Sequence, residues 1–495
     1  MISFAPMAKS GDSLPPLCVD LDGTLIKTDL MWESVLKLLK GAPWKFVYLP
    51  FWLARGKAHI KHKLAESVDL DISTLPYHQE LINYLENQKS TDDRNIVLCT
   101  GSHRSLADDV SSHIQIFSEV LATENGQNIT GNDKARLLEE KFGFRGFDYI
   151  GNENKDRPVW SLARKALVVS KSPALVKAIS EDYDTEKVFP LKKPGLATYV
   201  RALRLHQWVK NLLVFIPFLL DHRIFDLAAL GSTSLAFLCF CLIASGTYIV
   251  NDLLDLESDR THHKKCKRPF ASGELSVLTG IGLLSLLIGA GLLLAIIFLP
   301  PLFVAVMLAY LVCTLLYSFR FKTTPILDVC MLAGLYTIRV IAGTVAITAL
   351  WSFWLLAFSI FIFLSLALAK RSSELYNLMQ QDKHWANGRG YGIDDLPLIN
   401  SMGIASGYLS VLVVALYINS EKVLSVYQHP EVLWIFCPAL LYWISRIWLK
   451  TSRGEMDEDP IVFAIKDRIS WFIAAICGAT VTLALLLTRI DWNAF

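Results

Sequence analysis

The sequence has no surplus of either charge: 48 Lys and Arg stand against 46 Asp and Glu, a formal net charge of +2. That balance argues against a nucleic-acid-binding protein. There are nine cysteines but no CxxC pair, and Cys239, Cys241, Cys313, Cys437 and Cys477 lie inside apolar runs. Neither a disulfide framework nor a structural zinc site is expected from such a pattern. Residues Met1 to Ser10 lack an apolar core of signal-peptide length. The soluble part is therefore expected to stay in the cytoplasm. Bilayer-length apolar runs are missing before about Pro194 and recur after it. With 495 residues and 53% hydrophobic content, the chain is too long for one ordinary soluble domain and too apolar for two. A soluble unit of residues 1–180, a polar linker of 181–195 bracketed by prolines, and a membrane unit of 196–495 are expected.

Apolar segments of about twenty residues imply spanning helices. Nine are counted, centred near Phe215, Leu242, Leu286, Met307, Tyr336, Ile360, Val411, Leu440 and Thr480; the first is interrupted by Pro217. Lys and Arg crowd every second loop, whereas the loops near Pro300 and Leu350 have none. By the positive-inside bias, the N-terminal unit and the polar loops face the cytoplasm of an inner membrane.

The second apolar segment ends in Asn251-Asp-Leu-Leu-Asp-Leu-Glu-Ser-Asp259, followed by the basic run Arg260 to Arg268. At 3.6 residues per turn, Asn251, Asp252, Asp255 and Asp259 can share one helix face. Such a face repels itself unless a cation holds it, and Mg2+ suits carboxylate oxygens that leave room for substrate phosphates. Cations and polar groups near this membrane surface are candidate substrate-binding residues: Lys210, Asn211, Lys265, Arg268, Lys322, Lys370, Arg371, Glu374 and Arg389. Asp328 and Arg339 join them because charge inside a span is usually functional.

In the N-terminal unit, a short apolar run ends in Asp20-Leu-Asp22-Gly23-Thr24. A second ends in Thr100-Gly-Ser. Lys134 opens a helix, and Tyr149-Ile-Gly151-Asn152-Glu-Asn-Lys-Asp156 closes a third run. Strands that end in carboxylates and turns are how an α/β sheet presents a site. These four motifs resemble those of the haloacid dehalogenase-like phosphatases. The resemblance implies a Rossmann-like fold with a helical cap at about 28–92. It assigns Asp20 as nucleophile, Asp22 as acid/base, and Thr100 and Lys134 as phosphoryl-binding groups. It places Mg2+ among Asp20, Asp22, Asn152 and Asp156. Asn152 stands where that family usually has Asp. Within the cap, Pro43-Trp-Lys-Phe-Val-Tyr-Leu-Pro-Phe-Trp-Leu-Ala-Arg55 mixes aromatics with cations. Either this segment rests on a bilayer or its aromatics form the core of the cap.

Nine spans with Asn-Asp-x-x-Asp-x-x-x-Asp after the second resemble the UbiA-type membrane prenyltransferases, an all-α polytopic fold. Asp252, Asp255 and Asp259 would be catalytic, with Mg2+ on Asn251, Asp255 and Asp259. Most of that superfamily carries a second Asp-rich motif, and this chain has only Asp328 there. In that respect it resembles the decaprenyl-phosphate phosphoribosyltransferase branch, as do Gln207 to Asn211, Lys370-Arg371 with Glu374, and Asp459-Pro460. The resemblance implies transfer of 5-phosphoribose from phosphoribosyl pyrophosphate to a membrane polyprenyl phosphate, with the soluble unit removing the sugar 5-phosphate. The alternative is transfer of a prenyl group from its diphosphate to an aromatic or other acceptor, the phosphatase serving a separate substrate. Homo-oligomers are compatible with either.

Overall fold

In a computed structural model, residues 14–124, 128–380, 390–456 and 460–489 are described. The chain divides into two compact units, Met1–Leu203 with Tyr248–Ser285, and Arg204–Thr247 with Leu286–Phe495.

In the first unit the apolar runs become strands β1 (Leu17–Val19), β2 (Ile96–His103), β3 (Glu119–Thr123), β4 (Asp148–Gly151), β5 (Ala166–Ser170) and β6 (Thr185–Pro190). They form one sheet in the order β3-β2-β1-β4-β5-β6. All five pairings are parallel. A parallel sheet must be covered on both faces, and it is. Leu17, Val19, Leu98, Ile150 and Leu167 feed one buried cluster. Cys18, Val97, Cys99, Tyr149 and Val168 feed the other. The order reverses direction at β1, which puts its carboxyl end at the position where doubly wound sheets bind ligands.

One expected boundary moves. The stretch 181–195, expected as a linker, supplies β6, with Phe189 fully buried while Glu186 and Lys187 stay exposed. Its polar look comes from edge-strand alternation, since β6 pairs only with β5. The stretch 28–92, expected as a cap, does not pack as one piece. Val35, Leu38, Ile60 and Leu64 form a core of their own. Leu81, Ile82 and Leu85 pack instead into the core of the sheet.

Eight helices among the described residues are long and apolar enough to span a membrane: Leu227–Leu254, Val277–Phe298, Pro301–Phe319, Leu327–Ala346, Phe353–Met379, Ile393–Ile418, Pro430–Ser452 and Arg468–Leu487. The ninth expected span, near Phe215, is a shorter apolar stretch, Leu205–Leu220. It is 3-10 helical over Leu205–Phe215 and α-helical over Ile216–Leu220, broken ahead of Pro217. In the second unit one core forms between the helices around Val340, Leu366, Val411 and Ile444. Another forms around Phe240, Phe303, Met307 and Ala342.

Candidate active sites

The first site lies at the carboxyl end of β1. Asp20 is buried. Its Oδ1 accepts a 2.6 Å bond from Lys134 Nζ, and its Oδ2 accepts one of 3.1 Å from Thr24 Oγ1. Lys134 also donates to the Tyr149 hydroxyl at 3.0 Å, which donates to Asp156 Oδ1 at 2.9 Å. The other oxygen of Asp156 accepts from the backbone N–H of Asn152 and Glu153, at 2.9 and 3.1 Å. Asp22 accepts from Ser102 Oγ at 2.6 Å and from Leu30 N at 2.8 Å. Thr100 is fully buried and accepts from Ser102 N at 3.0 Å. The six expected residues therefore come together at one sheet edge, with Tyr149 and Ser102 as connectors that the motifs did not single out.

Burial pushes the Asp20 carboxyl up to about 7, against the pull of Lys134. Burial, and then the neighbouring Asp29, push Asp22 up to about 6. Both groups are thus strained as anions and would gain from a cation. Asn152 Oδ1 points the same way: it is out of solvent and has no hydrogen-bond partner. Its amide also lies against Gly23, where φ is +76° and an added Cβ would fall 2.1 Å from Nδ2. The oxygen donors are of the kind a hard divalent cation takes, with Asn152 as a neutral ligand, although the three carboxylates are not themselves gathered as a ligand set.

The second site is the Asn251–Asp259 segment. The expected single helical face is interrupted. The first span ends at Leu254, Asp255 leaves helical geometry at φ −103° and ψ 15°, and a short helix resumes over Leu256–Thr261. The carboxylates divide accordingly. Asp252 and Asp259, both 2% exposed, converge on Arg268. Its Nη1 lies 3.1 Å from Asp252 and 2.5 Å from Asp259. Asp255 turns to Lys40 at 3.2 Å. Among the described residues, no group of three His, Cys, Asp or Glu is placed to hold a metal ion. Like charges on one face separate when no cation gathers them, and here protein cations take that place. Two buried carboxylates already focused on one positive nitrogen are a donor pair that Mg2+ can use.

The segment is gripped by the N-terminal fold. Helix α1 (Leu30–Gly41) is capped by Asp29, which accepts from Met31 N and Trp32 N. Glu33, Lys37 and Lys40 follow one another along one face at spacings of four and three. Glu33 makes two bonds to Arg260, at 2.6 and 3.2 Å. Its side chain is 4% exposed and that of Arg260 6%. Lys37 meets Glu257 at 2.5 Å. Lys265 stands beside this segment in a 3-10 turn, Lys265–Lys267.

The other expected residues belong to the second unit. Arg339 is buried and donates to Asn211 Oδ1 at 2.8 Å and to the Tyr310 hydroxyl at 2.9 Å. Arg371 is fully buried, 2.7 Å from Asp328, and also pairs with Glu374. Asp328 Oδ1 accepts from Tyr391 OH at 2.6 Å and from Val329 N at 2.7 Å. Asp328 thus partners Arg371 and Tyr391. Lys210 is buried. Lys322 and Lys370 are half-buried. Arg389 and Asp459 lie outside the described residues.

A model of the UbiA prenyltransferase family matches residues 218–474, a stretch that holds the Asp-rich segment, Arg339 and Arg371. The chain belongs to the UbiA prenyltransferase family. It is an integral membrane transferase of that type. The uncharacterized protein y4nM of Sinorhizobium fredii is 35% identical over 473 residues, 95% of this chain and 91% of its own. A match of that length takes in most of both the sheet and the spans. Nodulation protein NoeC of Azorhizobium caulinodans is 36% identical over 293 residues, 59% of this chain and 93% of NoeC. A decaprenyl-phosphate phosphoribosyltransferase of Mycobacterium tuberculosis is 35% identical over 210 residues, 40% of this chain and 65% of that protein.

Within this UbiA-family chain, the motifs failed to reveal Tyr310, Tyr391 and the Glu33–Arg260 pair. The i, i+4, i+7 charges of α1 were the available signal for the last.

Proposed function

We propose that the membrane unit transfers 5-phosphoribose from phosphoribosyl pyrophosphate to a polyprenyl phosphate, and that the N-terminal unit removes the sugar 5-phosphate. The observation that carries the first step is the state of Asp328. UbiA-type transfer from a prenyl diphosphate would call on a second acidic metal site there. Instead, Asp328 Oδ1 accepts from Tyr391 OH and Val329 N, and Oδ2 lies 2.7 Å from the buried Arg371 guanidinium, which neutralises it without hydrogen-bonding to it. Among the described residues the Asn251–Asp259 segment is then the acidic site at hand, enough for one leaving pyrophosphate. The likeness to the mycobacterial phosphoribosyltransferase supports the same choice.

In this reading Asn251, Asp252, Asp255 and Asp259 would hold Mg2+, which supplies charge neutralisation for the pyrophosphate. Arg268 and Lys265 bind the same oxygens. An oxygen of the lipid phosphate attacks the anomeric carbon, the carbon–oxygen bond to pyrophosphate breaks, and pyrophosphate leaves. Lys210, Lys322, Arg339, Lys370 and Arg389 are the candidates for the remaining anionic groups. In the N-terminal unit the Asp20 carboxylate attacks the 5-phosphorus, and Asp22 protonates the departing ribose oxygen. Asp22 then takes a proton from the water that releases phosphate from Asp20. Lys134 and Thr100 hold the phosphoryl oxygens. The sites face the cytoplasm, where phosphoribosyl pyrophosphate is available.

Asp20→Asn is expected to leave pyrophosphate release unchanged while the 5-phosphorylated lipid accumulates, followed by chromatography of the lipid products. Dephosphorylated lipid at the wild-type level would remove the second step from this chain.

A further inference from the structure

The cap carries an apolar face that its own core does not use. From Pro43 to Ala54 no residue is buried. Trp44 and Val47 are each 67% exposed and Phe51 65%, with Phe46, Tyr48 and Leu53 also exposed. Only Leu49 and Trp52 lean on the core of the cap. The alternative that these aromatics are the core is therefore excluded. A contiguous apolar surface of this kind marks an interaction site.

Its neighbours say which. No Asp or Glu occurs between Ser34 and Ala65, whereas Lys45, Arg55 and Lys57 flank the apolar side chains. A second copy of the same face would set cation against cation, because an isologous contact is self-complementary. An anionic lipid surface suits both the charge and the rings. The patch also starts close in the chain to a contact with a membrane helix. Lys40, three residues before Pro43, is 3.2 Å from Asp255. Asp255 follows directly on Leu254, the last residue of a 28-residue candidate span. The aromatic segment thus begins three residues after a side chain that meets the polar end of a membrane helix, and Trp and Tyr gather at such membrane–water boundaries.

We propose that Pro43–Ala54 lies in the interfacial layer of the protein's own bilayer. Its Trp, Phe, Tyr and Leu side chains enter the acyl boundary, and Lys45, Arg55 and Lys57 meet anionic headgroups. This rests on the chain being an integral membrane protein and on neither proposed reaction. Joined to the phosphatase reading, it places the cap where a lipid-borne phosphate can pass from the membrane to Asp20.

The test uses the full chain in nanodiscs of phosphatidylcholine and phosphatidylglycerol, doped with a phosphatidylcholine that carries a carbene precursor at the end of its acyl chain. After illumination, labelled peptides are mapped by mass spectrometry. Label is expected in peptides covering 43–54 as well as in the spans. Phe46→Asp with Phe51→Asp, both exposed sites that tolerate charge, should lose the 43–54 label while the spans keep theirs. Label confined to the spans in the wild-type protein would overturn the proposal. So would 43–54 peptides that cross-link to a second copy in place of lipid.

Discussion

Arg268 holds Asp252 and Asp259 with a single nitrogen, at 3.1 and 2.5 Å. Without it, two buried carboxylates would lose the cation they share, and removing one member of a buried charge pair is costly. Arg268→Ala is therefore expected to lower the thermal stability of the metal-free protein and to make it gain more from added Mg2+ than the wild type does. Equal Mg2+ responses in the two proteins, by thermal unfolding in detergent, would show that Arg268 does not occupy the cation position. A second residue, His103, ties pH to stability. Burial, and then His62 beside it, hold its pKa below the usual histidine value, with Glu124 and Glu66 opposing. Its Nδ1 accepts from Ser105 N at 3.3 Å and its Nε2 lies 3.1 Å from His62 Nδ1. The unfolded chain takes up this proton more readily than the folded one. The contribution of His103 is present above about pH 6.5 and is lost as pH falls through that value. His103→Asn should flatten that part of the stability curve in a pH series of melting temperatures; an unchanged slope would assign it elsewhere.

Helix α1 is the element that joins the two acidic sites of the first unit. Its first N–H, Leu30 N, binds Asp22, and its flank binds Arg260, Glu257 and Asp255. Removing one partner from a buried ion pair costs about 3–5 kcal/mol. Glu33→Gln should therefore release the Asn251–Asp259 segment, seen as faster amide exchange over 251–261. The exchanged pair Glu33→Arg with Arg260→Glu should recover protection; failure of both variants to alter exchange would mean that α1 does not hold the segment. Elements of this kind were the hardest to read from sequence, because Glu33 and Arg260 are 227 residues apart. Strands and spans were legible because apolar runs of different length fold differently in water and in lipid. The edge strand β6 was not, since only Val188 and Phe189 interrupt its polar surface. The shortfall at Leu205–Leu220 was signalled only by Pro217, which stands in the first turn of Ile216–Leu220.

For the whole molecule, the motif residues of the N-terminal unit were legible as a set, and the sheet brings Asp20, Asp22, Thr100, Lys134, Asn152 and Asp156 to one edge. Their partners were not legible: Lys134 reaches Asp20 across 114 residues of chain, through a fold and not through a motif. In the membrane unit the singleton Asp328 was visible at once, but its ion pair with Arg371 and its bond from Tyr391 needed coordinates. The proposed leaving group rests on that pairing with Arg371. On the proposed reading, joining the two reactions in one chain would raise the effective concentration of product at the second site. The most direct measurement supplies membranes containing the protein with polyprenyl phosphate and radiolabelled phosphoribosyl pyrophosphate, and in parallel with a radiolabelled prenyl diphosphate and an aromatic acceptor. The expected result is label entering the lipid fraction from the ribose donor, lost in Asp255→Ala. Label transferred only from the prenyl diphosphate would contradict it.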